Sequence, residues 1–381
     1  MANEIPVDAD AAVIGAGVVG CAVALALARR GVSVALLEAE REQGLAASGT
    51  NSAILHTGFD SSPGALETDL ILRSGALREP VLDRLDVPVL RCGARLRPLA
   101  EEEHATVAAL AANARRNGVE ARLGGDGSLE VPGEAVTDPV AYTLALAAAA
   151  QRAGAELHVP FPVVAIDRAG DGLALAEAGG GALRCRVAVN CAGLRADEVA
   201  RLAGDDSFEI HPRKGEFLVF DPPGGKALDR ILLPVPTKRT KGVLVFPTVD
   251  GKVVAGPTAV DQEDKDDWTV RPQARAEILP KATAVYPALE GAEPIAAYAG
   301  LRPAGRGVNY LIGPSAACAR LVNVAAIRST GLSASLGIAE RVCEMVGRLG
   351  VRLAPERPLE PGERPPPSGP WWRRTAVYRT T

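Results

Sequence analysis

Residues 11–20, AAVIGAGVVG, join a short apolar run to three glycines in the spacing G-x-G-x-x-G. The next ten residues have the Ala, Leu and Val composition of a helix, and Gly31 follows where helices commonly end in a glycine. Residues 32–37 form a second apolar run, which leads into Glu38. The glycine spacing alone would be weak, but strand, glycine turn, helix, strand and acid in this order predict a dinucleotide-binding βαβ unit.

Each glycine in this unit has a separate physical role. Gly15 permits the tight turn, Gly17 lets a pyrophosphate approach the backbone, and Gly20 lets the helix pack closely on the strand. The N–H groups at the start of the helix would bind the phosphates. Glu38 would accept hydrogen bonds from a ribose hydroxyl and repel a 2′-phosphate, so we expect an unphosphorylated adenosine. The expected contacts within the unit are Gly15, Gly17, Val18, Val19, Gly20 and Glu38.

The composition limits the class of protein. The chain has 381 residues, of which 47% are hydrophobic and 23% charged, as in a globular protein of two domains or one large one. A net charge of −4 and an aromatic content of 4% argue against a nucleic-acid partner. The six cysteines include no C-x-x-C pair, so we expect no metal site and a reducing compartment.

The two termini bear on localisation. The first ten residues carry three acids and no basic residue, and no apolar run in the chain reaches about 18 residues. We therefore expect a cytoplasmic protein, with contact at the inner face of the membrane peripheral at most. Residues 371–381 are basic and aromatic, a composition that can touch an anionic membrane surface. Because they show no clear helical period, we favour an ordinary peripheral tail.

The cofactor is indicated by how the rest of the chain is arranged. Only one dinucleotide motif is present, and an NAD dehydrogenase usually completes its nucleotide domain in the first half of the chain. Here a strand pattern at 321–327 and a helix pattern at 331–349 look like late parts of that domain. This arrangement favours FAD, bound without a covalent link because no attachment motif is recognised.

Residues 208–301 differ in character, since they contain short β-like runs interrupted by one helix pattern at 273–285, as in an antiparallel sheet. The predicted fold is therefore α/β, a Rossmann-like FAD-binding domain with a mostly antiparallel β-sheet substrate domain. The predicted FAD-binding domain comprises residues 1–90, 138–205 and 302–352, the substrate domain residues 91–137 and 206–301, and a Pro-rich C-terminal tail residues 353–381.

Several segments also carry a resemblance to a known family. They are residues 13–20, 51–58, 213–217, 234–242, 256–258, 299–303 and 327–335. On these segments the chain resembles the FAD-dependent oxidoreductases of the D-amino-acid oxidase superfamily over residues 10–350. Within that superfamily it is most similar to the glycerol-3-phosphate dehydrogenase and L-2-hydroxyglutarate oxidase branch. One departure is Ala53, where the family's pattern has a glycine.

The resemblance implies roles for particular side chains. His56 follows the loop that the family places beside the flavin and could remove a hydroxyl proton, since histidine ordinarily titrates near neutral pH. The alternative is a structural histidine or a hydrogen-bond partner of the flavin. Arg302 would bind a carboxylate or phosphate of the substrate, unless it forms a surface ion pair. Arg239 and Lys241 are further candidate anion ligands, or parts of a solvated basic turn.

The resemblance also implies cofactor contacts outside the βαβ unit. The N-terminus of the helix begun at Gly331 would stabilise negative charge on a reduced flavin through its dipole and N–H groups. The alternative is an ordinary capped helix. The further cofactor contacts expected are Ser48, Thr50, Asn51, Ser52, Ala192, Gly193, Arg302, Gly331, Leu332 and Ser333.

These residues predict an enzyme that oxidises a small anionic secondary alcohol to a ketone, with the hydride passing to flavin N5. The first candidate is sn-glycerol 3-phosphate, giving dihydroxyacetone phosphate, because segments 234–242 and 256–258 look most like that branch. L-2-hydroxyglutarate or another 2-hydroxy acid is second. Oxidation of an amino acid or amine stays open, as does a non-catalytic relative of the fold. The electron acceptor stays open among oxygen, a quinone and a carrier protein.

Overall fold

The computed structural model describes residues 7–237, 242–367 and 369–374 of the chain. Helices and strands within these ranges are numbered in chain order. The helices are α1 Val18–Arg29, α2 Leu66–Arg84, α3 His104–Arg116, α4 Pro139–Arg152, α5 Ala196–Leu202, α6 Ala274–Val285 and α7 Gly331–Arg348. The strands are β1 Ala9–Ile14, β2 Val34–Leu37, β3 Ile54–Leu55, β4 Val89–Leu90, β5 Ala94–Leu96, β6 Arg122–Leu123, β7 Leu129–Val131, β8 Ala135–Thr137, β9 Glu156–His158, β10 Val163–Ala169, β11 Gly172–Glu177, β12 Ala182–Asn190, β13 Ile210–Phe220, β14 Ile231–Leu233, β15 Leu244–Pro247, β16 Val253–Gly256, β17 Val260–Asp261, β18 Ala296–Gly305, β19 Leu311–Pro314 and β20 Leu321–Ala325.

The first sheet contains the βαβ unit that the glycine spacing predicts. Its strands run in the order β10-β11-β12-β1-β2-β9, and β12 also pairs with β20, which pairs with β19. Since β1 pairs in parallel with β12 on one side and β2 on the other, the glycine turn follows the carboxyl end of a central strand rather than an edge strand. Val13 packs on the side of α1, α2, α4 and α7, whereas Ile14 packs on the side of α5, because side chains alternate along a strand.

The second sheet has the mostly antiparallel character expected for residues 208–301. Its strands run in the order β17-β13-β16-β15-β14-β5-β7-β6, and β18 pairs with β13. Residues 210–219 of β13 pair with residues 296–305 of β18 in one continuous antiparallel ladder. Ile278 and Ala282 of α6 pack on one face of this sheet. A third sheet, β3-β8-β4, is small, and its first strand ends directly before His56.

Most predicted helices and strands are present with bounds that differ by a few residues. Ser62 and Pro63 predict a helix start, with serine as the N-cap and proline at the first helical position, but this prediction is wrong because α2 begins at Leu66. Gly64 has a left-handed φ of +74°, and the Ala65 N–H donates to the Ser62 carbonyl at 3.2 Å, so residues 62–65 form a turn instead. The division into domains stays a prediction, and β18 continues past the boundary placed after residue 301.

Residues 354–367, called here the strap, contain no helix or strand, as their proline content predicts. The strap runs along the ends of two helices. The Arg357 N–H donates to the Arg29 carbonyl at 2.8 Å, and its guanidinium donates to the carbonyls of Ala28 and Ala153. The strap therefore satisfies carbonyl groups at the C-terminal ends of α1 and α4, which have no partner within their own helices.

Residues 371–374 are packed into the molecule, so the expectation of a peripheral tail is wrong for them. Trp371 and Trp372 are 1% and 3% exposed. The Trp371 ring meets the Tyr298 ring edge-on, with centroids 5.5 Å apart, and Trp372 Nε1 donates to Asp250 Oδ2 at 3.1 Å. Partners on distant strands bury these rings, which no local periodicity could have indicated.

Residues 375–381, the rest of the predicted basic tail, lie outside the described residues. Among the helices that the structure describes, none combines the length and the apolar composition needed to cross a bilayer. All six cysteines are free, and all but Cys92 are buried.

Candidate active site

The glycine turn after β1 forms a cradle at the N-terminus of α1. Gly15 has a φ of +103°, and a Cβ there would lie 2.6 Å from the Cys191 carbonyl oxygen. A Cβ at Gly20 would collide with the Gly15 carbonyl, so this glycine is required for α1 to pack on the turn. A Cβ at Gly17 would meet only the Ser48 hydroxyl, at 3.0 Å. Gly17 is therefore the glycine whose missing side chain leaves space for a ligand rather than for the protein.

A cavity of about 1180 Å³ extends from Glu38 past this cradle to Arg302 and Arg328. Every predicted cofactor contact lines it except Gly20 and Ser333. The lining contacts are Gly15, Gly17, Val18, Val19, Glu38, Ser48, Thr50, Asn51, Ser52, Ala192, Gly193, Arg302, Gly331 and Leu332. Since small-molecule pockets commonly measure about 300–1,000 Å³, this cavity has room for an extended dinucleotide and a small substrate.

Glu38 ends the second strand of the βαβ unit and holds the glycine turn. Its Oε2 accepts from the Ala16 N–H at 2.8 Å, and its Oε1 accepts from the Glu40 N–H at 3.0 Å. Burial raises the pKa of this carboxyl, although the two N–H groups oppose the shift. Glu38 thus presents a fixed acceptor to the cavity at the place where a ribose is expected.

The loop that follows the βαβ unit supports the cradle. Ser48 Oγ accepts from the Val18 N–H at 2.9 Å, so the loop binds the first turn of α1 directly. Asn51 Oδ1 accepts from the Ala53 N–H at 2.7 Å. Ala53 has a left-handed φ of +58°, a conformation that favours glycine, and this explains the glycine in the family's pattern. In this chain Ala53 adopts the left-handed conformation despite its Cβ.

His56 lines the cavity with its ring 18% exposed. Its Nδ1 lies 3.0 Å from Glu134 Oε2, and its backbone N–H donates to Ser333 Oγ at 2.8 Å. Glu134 is fully buried, and its Oε1 accepts from both the N–H and the hydroxyl of Thr57, at 2.7 and 2.8 Å. The His56 ring is therefore fixed through Nδ1, which leaves Nε2 as the nitrogen available to a ligand.

Arg302 reaches the cavity from β18 and is held by three backbone carbonyls. Its Nε donates to the Arg213 carbonyl at 3.0 Å, and its Nη2 donates to those of Lys214 and Thr258, at 3.1 and 2.8 Å. Gly215 provides the space for this arrangement, because a Cβ there would lie 2.9 Å from Arg302 Nη2. Arg302 is thus a positioned cation in the cavity wall.

Arg302 forms no ion pair with a carboxylate among the described residues, and Asp261, which pairs with Arg213, acts on Arg302 only without direct contact. Burial, together with the positive charges of Arg213 and Arg328, lowers the pKa of Arg302 to about 10, so the guanidinium stays protonated at neutral pH. Arg328 is exposed at the same cavity and has a φ of +35°. This wall of the cavity therefore offers positive charge to an anion.

The residues present fit a flavin dinucleotide. The cradle has the open face that a pyrophosphate needs, the Glu38 carboxylate lies at one end, and the N-terminus of α7 borders the cavity at Gly331 and Leu332. A model of the family described as FAD dependent oxidoreductase matches residues 10–345. The chain belongs to this family.

Three known proteins show the similarity in detail. The glycerol 3-phosphate dehydrogenase of Caloramator mitchellensis is 29% identical over 371 residues, covering 93% of this chain and 77% of that protein. The mitochondrial L-2-hydroxyglutarate dehydrogenase of Mus musculus is 30% identical over 277 residues, covering 65% of this chain and 60% of that protein. The dithionite-reduced L-alpha-glycerophosphate oxidase of Mycoplasma pneumoniae, solved with FAD bound, has a TM-score of 0.86 at 24% identity, covering 94% of this chain and 99% of that one.

This FAD-dependent oxidoreductase contains two site residues that the sequence did not single out. Glu134 follows a Pro-Gly turn with no recognisable motif, and only the pairing of β3 with β8 brings it to His56. Arg328 lies within the segment 327–335 that carries the family resemblance, so the resemblance marked the segment without marking the residue.

Four predicted residues stand apart from the lining of the cavity. Gly20 supports α1, and Ser333 is buried, where its hydroxyl accepts from His56 and donates to the Ile54 carbonyl at 3.3 Å. Arg239 and Lys241 lie outside the described residues. The roles expected for all four stay predictions.

Proposed function

We propose that this enzyme oxidises the secondary alcohol of a small anion to a ketone, using FAD bound in the cavity. The observation that carries the proposal is that one cavity is bordered by the phosphate cradle, by the imidazole of His56 and by the guanidinium of Arg302, which forms no ion pair with a carboxylate among the described residues. A nucleotide site, a base and an anion site in one space suit the oxidation of an anionic alcohol.

Arg302 would bind the anionic group of the substrate. A guanidinium held at Nε and Nη2 by three carbonyls loses little side-chain freedom on binding a carboxylate or phosphate. Arg328 adds positive charge to the same wall. Together these residues would fix one end of the substrate and so orient its hydroxyl carbon.

When bound, FAD supplies the two-electron acceptor for the hydrogen that leaves the alcohol carbon with its bonding electrons. Nε2 of His56 would take the hydroxyl proton as the carbon–oxygen double bond forms, which balances the oxidation to a ketone. Glu134 faces Nδ1 and would stabilise the positive charge that develops on the ring. The N-terminus of α7 would place partial positive charge at the cavity for the negative charge of the reduced cofactor.

We propose sn-glycerol 3-phosphate as the first substrate candidate. The Caloramator relative, which is named for this substrate, matches 93% of the chain at 29% identity. L-2-hydroxyglutarate is the second candidate, supported by the mouse relative at 30% identity over a shorter part of the chain. Either substrate carries an anionic group, which Arg302 and Arg328 would bind. The electron acceptor stays open among oxygen, a quinone and a carrier protein.

The experiment is anaerobic stopped-flow reduction of the bound flavin by sn-glycerol 3-phosphate, L-2-hydroxyglutarate, glycine and D- and L-amino acids. Glycerol is the matched control, because it keeps the secondary alcohol and lacks the anion. We expect fast reduction by one anionic alcohol and very slow reduction by glycerol. If only the amines reduced the flavin, the alcohol class would be rejected and amine oxidation would replace it.

A second measurement tests the base. His56→Ala should slow flavin reduction by roughly 10²–10⁴-fold and change the substrate dissociation constant much less, since proton removal belongs to the transition state. An unchanged reduction rate in this variant would remove His56 from the proton transfer.

A further inference from the structure

We propose that Glu134 is a positioning residue, which holds the His56 imidazole in the Nδ1–H tautomer and so keeps Nε2 free to accept a proton. The part that this tautomer plays in catalysis rests on the proposed function. The geometry begins with the β3–β8 ladder, in which Ile54 pairs with Val136 and Leu55 with Ala135. The same register places Glu134 opposite His56, one step beyond the last pair.

Each oxygen of the Glu134 carboxylate has its own hydrogen-bond partners. Oε1 accepts from the N–H and the hydroxyl of Thr57, and Oε2 lies 3.0 Å from His56 Nδ1. An ionised carboxylate can only accept, so Nδ1 must be the donor in this pair. In a neutral imidazole one nitrogen carries the proton and the other does not, and Nε2 is therefore left with its lone pair.

The surroundings keep the carboxylate ionised. Burial alone would raise the pKa of Glu134, but the facing His56 and the two donors of Thr57 outweigh it and hold that pKa below its ordinary value. Arg78 of α2 also faces this carboxylate, and Cys92 is the further titratable group near it. The guanidinium of Arg78 is a buried cation whose positive charge favours the ionised form of Glu134.

The ring has little freedom to escape this pairing. The backbone N–H of His56 donates to Ser333 Oγ at 2.8 Å, and its carbonyl accepts from Arg78 Nη1 at 3.3 Å. These contacts come from two helices, Ser333 of α7 and Arg78 of α2. With the backbone held by both helices and Nδ1 held by Glu134, the exposed part of the ring can present only its other edge to a ligand.

The decisive variant is Glu134→Gln. The glutamine oxygen would accept from the two Thr57 donors, so its NH₂ group would face His56 Nδ1 and act as a donor there. The imidazole must then carry its proton on Nε2, which is the wrong nitrogen for a base. Thr57→Val is the matched control, because it removes a hydroxyl donor from Oε1 of the same carboxylate and leaves the Oε2 contact intact.

The tautomer is read directly from the ring ¹⁵N chemical shifts of histidine-labelled holoenzyme at about pH 8, where an ordinary histidine is neutral. The chain has only four histidines, and the His56 signals are those lost in His56→Ala. We expect the Nδ1–H tautomer in the wild type and in Thr57→Val, and the Nε2–H tautomer in Glu134→Gln. The Nε2–H form in the wild type, or an unchanged tautomer in Glu134→Gln, would overturn the proposal.

The rate of flavin reduction distinguishes the positioning role of Glu134 from the proposed role of His56 as the base. With the best anionic alcohol, Glu134→Gln should slow reduction by roughly 10²–10⁴-fold with little change in the substrate dissociation constant, as wrong-tautomer variants of catalytic histidines do. A switched tautomer with an unchanged rate would reject His56 as the base while the positioning role of Glu134 stands. A slow variant that keeps the Nδ1–H tautomer would show that Glu134 acts only by supporting the fold, which rejects the positioning role.

Discussion

Arg213 and Arg302 lie directly opposite each other in the β13–β18 ladder, but among the described residues only Arg213 of this pair is in ion-pair contact with a carboxylate. Asp261 accepts two hydrogen bonds from Arg213 Nη1, at 2.7 and 2.8 Å, whereas the Arg302 bonds go to uncharged carbonyls. Direct cross-strand neighbours project from the same face of a sheet, so both side chains border the same cavity. Arg302 is therefore the member of this pair whose charge we propose to be available to an anionic substrate.

Arg302→Ala should weaken binding of the anionic substrate strongly. Loss of such a contact in a buried site costs about 2–5 kcal/mol, which corresponds to roughly 30-fold to several-thousand-fold in the dissociation constant. Arg302→Lys should lose less, because it keeps the charge and loses the planar fork. Titration of the oxidised holoenzyme with the ketone product, followed through the flavin absorbance, measures both effects.

Arg306→Ala provides the control for these variants. Arg306 follows β18 directly, is exposed and pairs with Glu209 and Glu263 at the surface, so its removal changes the net charge equally without touching the cavity. Equal loss of affinity in Arg302→Ala and Arg306→Ala would mean that general electrostatics, and not a specific contact, binds the anion.

Gly17→Val should give a folded protein without flavin. A valine there would extend into the space above the N-terminus of α1, where protein atoms come near only at Ser48 Oγ. Gly20→Ala should instead prevent folding, because its Cβ would collide with the Gly15 carbonyl. Absorbance of the purified protein and FAD released by acid measure the occupancy, and far-UV circular dichroism measures the fold.

Gly75→Ala is the matched glycine control. Gly75 lies within α2 and a Cβ there would meet nothing within 4 Å, so this change should keep full flavin occupancy and stabilise the protein by about 0.5–1 kcal/mol. A yellow Gly17→Val protein with full occupancy would reject the cradle as the phosphate site. FAD that stayed attached after acid treatment would reject non-covalent binding.

Trp371→Ala should destabilise both the fold and the loop after the βαβ unit, which contains Ser48 and Asn51. Trp371 is buried against Tyr298, whose ring stacks on Phe217 at 4.7 Å and whose hydroxyl donates to the Asn51 carbonyl in that loop. Truncation of a buried tryptophan typically costs about 3–5 kcal/mol. We expect a lower thermal midpoint and a faster loss of FAD, measured by the rise in free-flavin fluorescence.

Arg373→Gln is the control for this segment. Arg373 is exposed and its guanidinium lies over the face of the Trp372 ring, 4.9 Å from the centroid, so its replacement should cost under about 1 kcal/mol and leave FAD retention unchanged. A thermal midpoint in Trp371→Ala equal to that of Arg373→Gln would show that the C-terminal segment does not stabilise the fold.

The sequence predicted those parts of the fold that depend on neighbouring residues. The cradle and Glu38 follow from glycine and acid spacing within 28 residues, because a tight turn, a phosphate and a helix start impose local requirements. The pairing of His56 with Glu134 depends instead on the β3–β8 register, which joins residues far apart in the chain. The packing of Trp371 on Tyr298 has the same long-range origin, so neither contact had a local signal.

A further prediction concerns Asp205, which links the segment after α5 to the β19–β20 turn. Its Oδ1 accepts from the N–H and hydroxyl of Ser207, and its Oδ2 accepts from Ser315 Oγ, the Ala316 N–H and Asn323 Nδ2. Burial alone would raise the pKa of Asp205, but the donors of Ser207, Ser315 and Ala316 outweigh it and lower that pKa to about 2.

The sign of the pH effect follows from this lowered pKa. The folded protein holds Asp205 ionised at pH values where the unfolded chain, with an ordinary aspartate near 3.9, has begun to bind a proton. The stabilisation is therefore complete well above pH 4 and is lost as the pH falls from about 4 towards 2.

Asp205→Asn should destabilise the holoenzyme most at pH 7, and the difference in the free energy of unfolding from the wild type should shrink on acidification. Urea unfolding at pH 7, 4 and 3 with saturating FAD measures this difference, and Asp206→Asn, at an exposed neighbour, should show almost none. A difference that stayed constant across this range would mean that the network stabilises the fold through its shape and not through the charge of Asp205.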